Sequence, residues 1–139
     1  MNGGRLLRQV FREAQYQTAD RDAVLIGADE PAPPSFLIHR GVAFRATTLP
    51  DGRRAIIDIL LPGDVGGIDR AVLGRSNYEL VAACPLGYRA LPAATIRELL
   101  RNPQIALHAL ALMGEMRWRA DRHITAIARL DARSRIASF

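Results

Sequence analysis

The sequence predicts a mainly β fold, a sandwich or closed roll, followed by one long C-terminal helix. Residues 36–60 read as a hairpin of two apolar, alternating strands, the first continuing through Gly41, around the sequence LPDG at 49–52. Proline, aspartate and glycine in this order are typical of a tight turn. Apolar residues occupy much of both faces, which predicts a hairpin inside a sandwich or roll. After Pro103, only Gly114 interrupts the following 27 residues, which predicts the long helix.

The segments before the hairpin are predicted from local composition. Residues 4–12 are predicted as a short helix or an irregular arm. Residues 14–16 and 23–26 are predicted as short strands around a polar turn at 20–22. Residues 28–35 are predicted as a loop, because three prolines within four residues are incompatible with regular structure.

The elements after the hairpin are predicted from the positions of glycine and proline. In chain order we predict a turn at 62–64, one helical turn within 68–73, a strand at 78–83, a turn at 85–87, a last strand at 88–91 and a short helix over 92–101. Asparagine is a good N-cap and proline suits the first position of a helix. We therefore expect the long helix to begin at Asn102 and Pro103.

Composition and charge exclude several classes of protein. Hydrophobic residues are 49% and charged residues 24% of the 139-residue chain, which is ordinary globular usage. No apolar run approaches the roughly 18 residues of a membrane span, and the N-terminus lacks the apolar stretch of a secretory signal. We expect a cytoplasmic protein without membrane association. The net charge is +5, and all nineteen basic residues are arginine.

Six arginines crowd the last quarter of the chain, at positions 117, 119, 122, 129, 133 and 135. A basic segment of this kind can contact nucleic acid. The alternative, which we favour, is a solvated helix face that leads toward a further domain.

Candidate metal ligands and nucleophiles are few. Cys84 is the only cysteine, so it cannot form an internal disulfide or hold an iron–sulfur cluster by itself. His39, His108 and His123 are too far apart in the sequence to form a local ligand pair, although one histidine suffices as an axial haem ligand. No Ser-His-Asp order, P-loop or HExxH sequence occurs. We expect no metal site and no enzymatic activity.

The long helix carries an apolar seam in which residues recur every three or four positions. Its members are Ala109, Met113, Met116, Ala120, Ile124, Ile127 and Leu130. At about 1.5 Å per residue the helix could exceed about 40 Å, which is more than one small roll requires. We therefore predict a parallel homodimer through this seam. The alternative is a helix that only covers the roll of its own chain.

Several of these segments together resemble the sensor domain of Crp/Fnr-type bacterial transcription regulators, over about residues 20–139. The resemblance rests on RG at 40–41, LPDGRR at 49–54, LLPGD at 60–64, RALP at 89–92, LLRNPQIALHALALM from position 99 and LDARSRIASF from position 130. It implies a mainly β fold with α elements: an antiparallel β-roll, or jelly roll, of cyclic-nucleotide-binding-like type, followed by a long C-terminal dimerisation helix. The implied division is a sensor roll over 1–101, the dimerisation helix over 102–130 and, at 131–139, a hinge toward a helix-turn-helix DNA-binding domain absent from the chain.

The resemblance also marks a candidate effector loop at residues 63–76. In the nucleotide-binding branch of the family, such a loop cradles the cyclic phosphate with an arginine, and a glutamate after a glycine holds the ribose. The candidate phosphate-binding residues here are Gly63, Asp64, Gly66, Gly67, Arg75 and Ser76. The position expected for the glutamate holds Gly67 or Ile68, and Arg75 comes about three residues early. An Fnr-like roll without a nucleotide therefore fits better, and a true cAMP or cGMP domain is the alternative.

The function implied by the resemblance is signal sensing and dimerisation. A change at the loop would alter how the roll packs on its long helix and thereby set the spacing of the DNA-binding domains. DNA and RNA polymerase are the expected partners of the whole regulator. A stand-alone dimerisation or protein-interaction module is the second alternative.

Overall fold

The structure, a computed structural model, describes the backbone of residues 2–137 and the side chains of residues 2–122. Its elements in chain order are α1 Gly3–Glu13, β1 Tyr16–Ala19, β2 Val24–Ile26, β3 Ser35–Arg40, β4 Ala43–Thr48, β5 Arg54–Leu60, β6 Val65–Gly66, α2 Ile68–Leu73, β7 Glu79–Ala82, β8 Leu86–Leu91, α3 Ala93–Leu99 and α4 Pro103–Ala137. The chain divides into two compact units, one up to Ala109 and one from Leu110 onward.

The first unit is a β-roll built from two antiparallel sheets of four strands each. One sheet has the strand order β1-β8-β3-β6 and the other the order β2-β7-β4-β5. Its core contains side chains from both sheets: Ile26, Phe36, Ile38, Ala43, Leu60, Leu80, Ala82, Leu86 and Tyr88. Full burial of a large apolar side chain contributes about 1.5–3 kcal/mol. The predicted fold class, a mainly β roll of antiparallel strands with a long C-terminal helix, is confirmed.

Gly41 divides the first predicted strand of the hairpin. Our prediction of one strand through this position is wrong, because β3 and β4 belong to different sheets. Gly41 has φ +83°, in the left-handed region that favours glycine. A side chain here would also collide with the carbonyl oxygen of Pro85. The glycine therefore forms the corner at which the chain crosses from one sheet to the other.

The turn between β4 and β5 forms as predicted. The amide of Gly52 donates to the carbonyl of Leu49 at 2.9 Å, and the amide of Leu49 donates to the carbonyl of Arg53 at 2.7 Å. Gly52 has φ +87°, as the turn chemistry requires. The local sequence was sufficient here because a tight turn depends on only a few adjacent residues.

Strand β5 differs from the prediction that both faces of the hairpin are inside. Ile56, Ile57 and Ile59 are 55%, 43% and 51% exposed, whereas Leu60 is buried. The reason is the place of β5 at the edge of its sheet, where it pairs only with β4. The apolar run therefore includes an exposed surface as well as core residues.

Other element boundaries differ by a few residues. The first strand is Tyr16–Ala19 rather than 14–16. Helix α4 begins as predicted, because the side-chain oxygen of Asn102 accepts hydrogen bonds from the amides of Gln104 and Ile105 at 2.9 and 3.3 Å. The helix continues to Ala137, through most of the segment expected to act as a hinge. Among the described residues, none of the helices combines the length and the apolar character needed to cross a bilayer.

Candidate functional site

The entrance of the candidate loop is fixed to the roll by backbone hydrogen bonds. The amide of Gly63 donates to the carbonyl of Ile38 at 2.7 Å, and the amide of Ile38 donates to the carbonyl of Asp64 at 3.0 Å. The Asp64 carboxylate accepts from the amide of Leu61 at 2.8 Å. These contacts give Asp64 a structural role in the turn, and Gly63 supplies the positive φ of +94°.

The middle of the loop is closely packed. A side chain at Gly66 would collide with Leu60, and one at Gly67 would come within 2.9 Å of the carbonyl oxygen of Pro34. The next residue, Ile68, is 6% exposed and belongs to the core. The positions considered for a ribose-binding glutamate therefore hold a packing glycine and a buried isoleucine.

The end of the loop places Arg75 and Ser76 in different environments. Ser76 is 1% exposed, and its hydroxyl donates to the carbonyl of Tyr78 at 2.6 Å and accepts from the Tyr78 amide at 3.2 Å. Arg75 is exposed. A cavity of about 450 Å³ lies beside it, lined by Asp29, Arg70, Leu73, Arg75, Ser76 and Asn77. Arg75 is therefore free to meet an anion, whereas the Ser76 hydroxyl already bonds to its own chain.

A buried charged cluster ties the loop to the roll, and sequence reasoning missed it. The Arg45 guanidinium pairs with the Asp58 carboxylate at 3.2 Å, with both side chains nearly buried. The guanidinium carbons of Arg45 and Arg70 lie 5.0 and 4.8 Å from the centre of the Tyr78 ring. Arg70 also pairs with Asp69 at 3.0 Å. The cluster thus joins α2 of the candidate loop to strands β4 and β5 and to Tyr78.

Tyr78 is the centre of this cluster. It is 2% exposed, and its hydroxyl donates to the Asp69 carboxylate at 3.4 Å. Burial, followed by the negative charge of Asp69, raises the pKa of Tyr78 to about 12, although Arg45 and Arg70 oppose the shift. The phenol is therefore neutral at physiological pH and acts as a hydrogen-bond donor.

The signal for the cluster was present in the hairpin register. Arg45 and Asp58 are directly opposite each other in the β4–β5 pair. Opposite charges at paired positions of an antiparallel hairpin stabilise each other. Counting residues away from the LPDG turn does not pair them, because a bulge shifts the register between Arg45 and Ala46. The pair could be predicted only if this bulge were known.

The residues of the predicted dimer seam form three groups, which differ in exposure or lie outside the described side chains. Ala109 is 3% exposed and is already covered within the chain. Met113 and Met116 are half-buried, and Ala120 is exposed. The last three members, Ile124, Ile127 and Leu130, have side chains outside the described residues.

A second apolar stripe lies on the other side of α4. Leu110 and Trp118 are 66% and 65% exposed. At about 100° per residue, Leu110, Gly114 and Trp118 share one side of the helix, away from Met116. A side chain added at Gly114 would meet open space. Sequence reasoning missed this stripe, because its periodicity does not indicate which apolar side the chain itself covers.

The cysteine and those histidines whose side chains the structure describes do not lie together in one cluster. His39 lies 6.0 Å from the Tyr16 ring, and burial, followed by the nearby Arg89 and Arg12 charges, lowers the pKa of His39. The Cys84 sulfur accepts from the amide of Val42 at 3.3 Å. Within residues 2–122, no three His, Cys, Asp or Glu side chains are grouped as metal ligands.

Comparison with known proteins gives related regulators. No protein-family model matches the chain. The chain is similar to the nitrogen fixation regulation protein FixK of Azorhizobium caulinodans, with 29% identity over 119 residues. The match covers 86% of this chain and 48% of FixK, so the chain spans about half the length of this curated relative.

Two solved structures have the same fold. FixK2 from Bradyrhizobium japonicum matches with a TM-score of 0.72 and 26% identity, over 80% of this chain and 56% of FixK2. The catabolite activator protein of Thermus thermophilus matches with a TM-score of 0.72 and 20% identity, over 94% of this chain and 62% of that protein. The fold of this chain is therefore shared with parts of longer proteins.

Proposed function

We propose that this chain is the sensor region of a Crp/Fnr-type transcription regulator, and that it dimerises and transmits a signal without binding a cyclic nucleotide. DNA binding would belong to a part of the regulator outside these 139 residues, since the chain spans about half of FixK. The candidate loop would change its packing on the roll, and the long helix would carry that change toward the DNA-binding part.

The buried charged cluster carries this proposal. Arg70 of α2 packs on Tyr78, which also packs on Arg45. A nucleotide that displaced these side chains would have to separate charges that are largely shielded from water. Removing one partner of a buried ion pair costs about 3–5 kcal/mol. The roll therefore supplies its own polar contacts at the place where α2 meets the strands.

The chemistry of the loop supports the same proposal. The resemblance leads one to expect a glutamate for the ribose and a free hydroxyl beside the phosphate-binding arginine. Ile68 is buried, and the Ser76 hydroxyl bonds to the backbone of Tyr78. Among the side chains that the sequence predicts as phosphate ligands, only that of Arg75 keeps this character.

The proposed dimer uses a different side of α4 from the seam predicted by periodicity. Leu110 and Trp118 are large, apolar and about two-thirds exposed. Gly114 between them would let a second backbone approach closely. A second copy of the helix fits this stripe, because the same apolar surface on both copies is self-complementary in a two-fold dimer.

A thermal-melt series tests whether a nucleotide is needed. The purified 139-residue chain is melted with cAMP, cGMP and cyclic dinucleotides, each at a saturating concentration. A ligand at 100 times its Kd stabilises the folded state by about 2.7 kcal/mol, which would raise the Tm by several degrees. We expect no shift. A shift that Arg75→Ala abolishes and Arg21→Ala, at another exposed arginine, retains would contradict the proposal.

Cyclic-nucleotide binding is the second candidate function. The observation that favours it is the cavity of about 450 Å³ beside Arg75, which is large enough for a small ligand. Arg70 and Asn77 also line it and could donate hydrogen bonds to an anion. The same melt series decides between the two candidates.

A further inference from the structure

Helix α1, Gly3–Glu13, contacts both the candidate loop and the beginning of α4. The three contacting parts all belong to the unit that ends at Ala109. Neither the sequence pattern nor the proposed sensing role assigns α1 a function. Its contacts nevertheless join the two regions that the proposed function needs to be coupled.

The first turn of α1 packs directly on α4. Gly3 and Gly4, the first two residues of the helix, are both buried. A side chain at Gly3 would collide with the carbonyl of Gln104, and one at Gly4 would come within 2.9 Å of the His108 ring. The two glycines therefore allow the α1 backbone to approach the first turns of α4.

The exposed side of α1 reaches the candidate loop. The guanidinium of Arg8 donates to the carbonyl of Gly63 at 3.3 Å. The amide of Gly63 also donates to the carbonyl of Ile38. Arg8 therefore contacts the loop at its entrance, the residue where the loop is hydrogen-bonded to the roll. A displacement of this entrance would therefore change the length or direction of the Arg8 hydrogen bond.

Helix α1 is held along its length. Leu7 and Phe11 are 1% and 0% exposed. The Arg89 side chain of β8 donates to the carbonyls of Arg12 and Ala14 at the end of the helix. With Leu7 and Phe11 buried and its end anchored, α1 would shift as one rigid element.

We infer that α1 is the mechanical link between the candidate loop and α4: displacement of the loop at Gly63 moves α1 through Arg8, and α1 moves the first turns of α4 through Gly3 and Gly4. The inference rests on the proposed function for its biological meaning, because a sensor must pass a loop change to its long helix. Coupling of this kind is reciprocal, so a change at either end must be detectable at the other.

Amide hydrogen exchange in the full 139-residue chain tests the link. Arg8→Ala removes the loop contact, and Arg5→Ala, at an exposed arginine of the same helix, is the matched control. Gly4→Ala wedges α1 away from His108. Adding His108→Ala to Gly4→Ala makes room for the new methyl group.

We expect Arg8→Ala to accelerate exchange by about threefold or more at the amides of 63–64 and also at those of 105–109, while Arg5→Ala changes neither. Gly4→Ala should accelerate both regions, and His108→Ala in that background should restore the loop amides. Effects that stay local, with Arg8→Ala confined to the loop and Gly4→Ala confined to α4, would overturn the link. Light scattering of the same samples reports dimer formation separately, so loss of the link leaves the proposed function testable.

Discussion

The charged cluster around Tyr78 and the exposed side of α4 differ in how much of their surface their own chain covers. In the cluster, Tyr78 and Arg45 are 2% and 9% exposed and contact polar or aromatic groups of the same chain. On α4, Leu110 and Trp118 leave about two-thirds of their surfaces in water. The cluster pairs its charges within one chain, whereas the helix stripe is apolar surface that a second copy would cover. This contrast supports the proposal that the chain acts more through association than through a ligand in the roll.

The largest expected effect comes from breaking the cluster at its buried ion pair. Asp58→Ala leaves the Arg45 charge without the carboxylate that lies 3.2 Å away. We expect the free energy of unfolding in urea to fall by about 3–5 kcal/mol, because the remaining charge is nearly buried. Glu98→Ala removes the exposed pair with Arg101 and should change the free energy of unfolding by no more than about 1 kcal/mol. Equal effects would show that the cluster is not the buried polar centre of the roll.

The next effect is a loss of stability at high pH that depends on Tyr78. The folded pKa is raised from 10.0 to about 12, so the folded chain holds this proton after the unfolded chain has lost it. The stabilisation is complete below pH 10 and is lost as the pH rises through 12, by roughly 3 kcal/mol. Urea unfolding between pH 9 and 12 should show a weaker pH dependence for Tyr78→Phe than for the wild type.

The control for this titration is Tyr16→Phe, since Tyr16 is 43% exposed. Its pH dependence should stay close to that of the wild type. A Tyr78→Phe variant with an unchanged slope would mean that the phenol is not held in the neutral form by its surroundings.

Charge substitutions on the two apolar faces of α4 test which face forms the proposed dimer. Leu110→Asp should weaken the proposed dimer by about 2 kcal/mol or more, roughly thirtyfold in Kd, because a charge would enter an apolar contact. Met116→Asp, on the other side of α4, should weaken it less. Light scattering over a concentration series measures both. If Met116→Asp has the larger effect, the seam predicted from periodicity is the correct one.

The smallest effect is expected at the exposed arginine of the candidate loop. Arg75→Ala should change the free energy of unfolding by no more than about 0.5 kcal/mol, since its side chain is exposed. Thermal melts without ligand measure it. A loss of several degrees would mean that Arg75 holds the loop together, and its value as a free anion ligand would be lost.

Local features of the fold could be predicted from the sequence, whereas sheet assignment could not. The LPDG turn and the Asn102 cap depend on adjacent residues, and both form as predicted. The alternation around Gly41 is compatible with one continuous strand or with two strands in different sheets. The corner at Gly41 is seen only in the fold, where β3 and β4 join different sheets and the Gly41 backbone packs on Pro85, far away in the sequence.

The position of the candidate loop is a prediction from the sequence, whereas the contacts made by its residues could not be predicted. The glycines of the loop identified residues 63–76, but they do not indicate that Ser76 bonds to its own backbone. The charged cluster depends on a bulge that shifts the β4–β5 register by one residue. Likewise, the period of α4 identifies apolar residues without revealing that Ala109 is covered by its own chain. These facts depend on contacts between distant segments.

Thermal melting of the 139-residue chain at several protein concentrations, each with and without saturating cyclic nucleotides, tests the central claim most directly. Association stabilises by mass action, as does a ligand that binds only the folded state. We predict that the Tm rises by several degrees over a hundredfold range of protein concentration and is unchanged by every nucleotide. A Tm that rises with a nucleotide and is independent of protein concentration would contradict the claim that this sensor is governed by association.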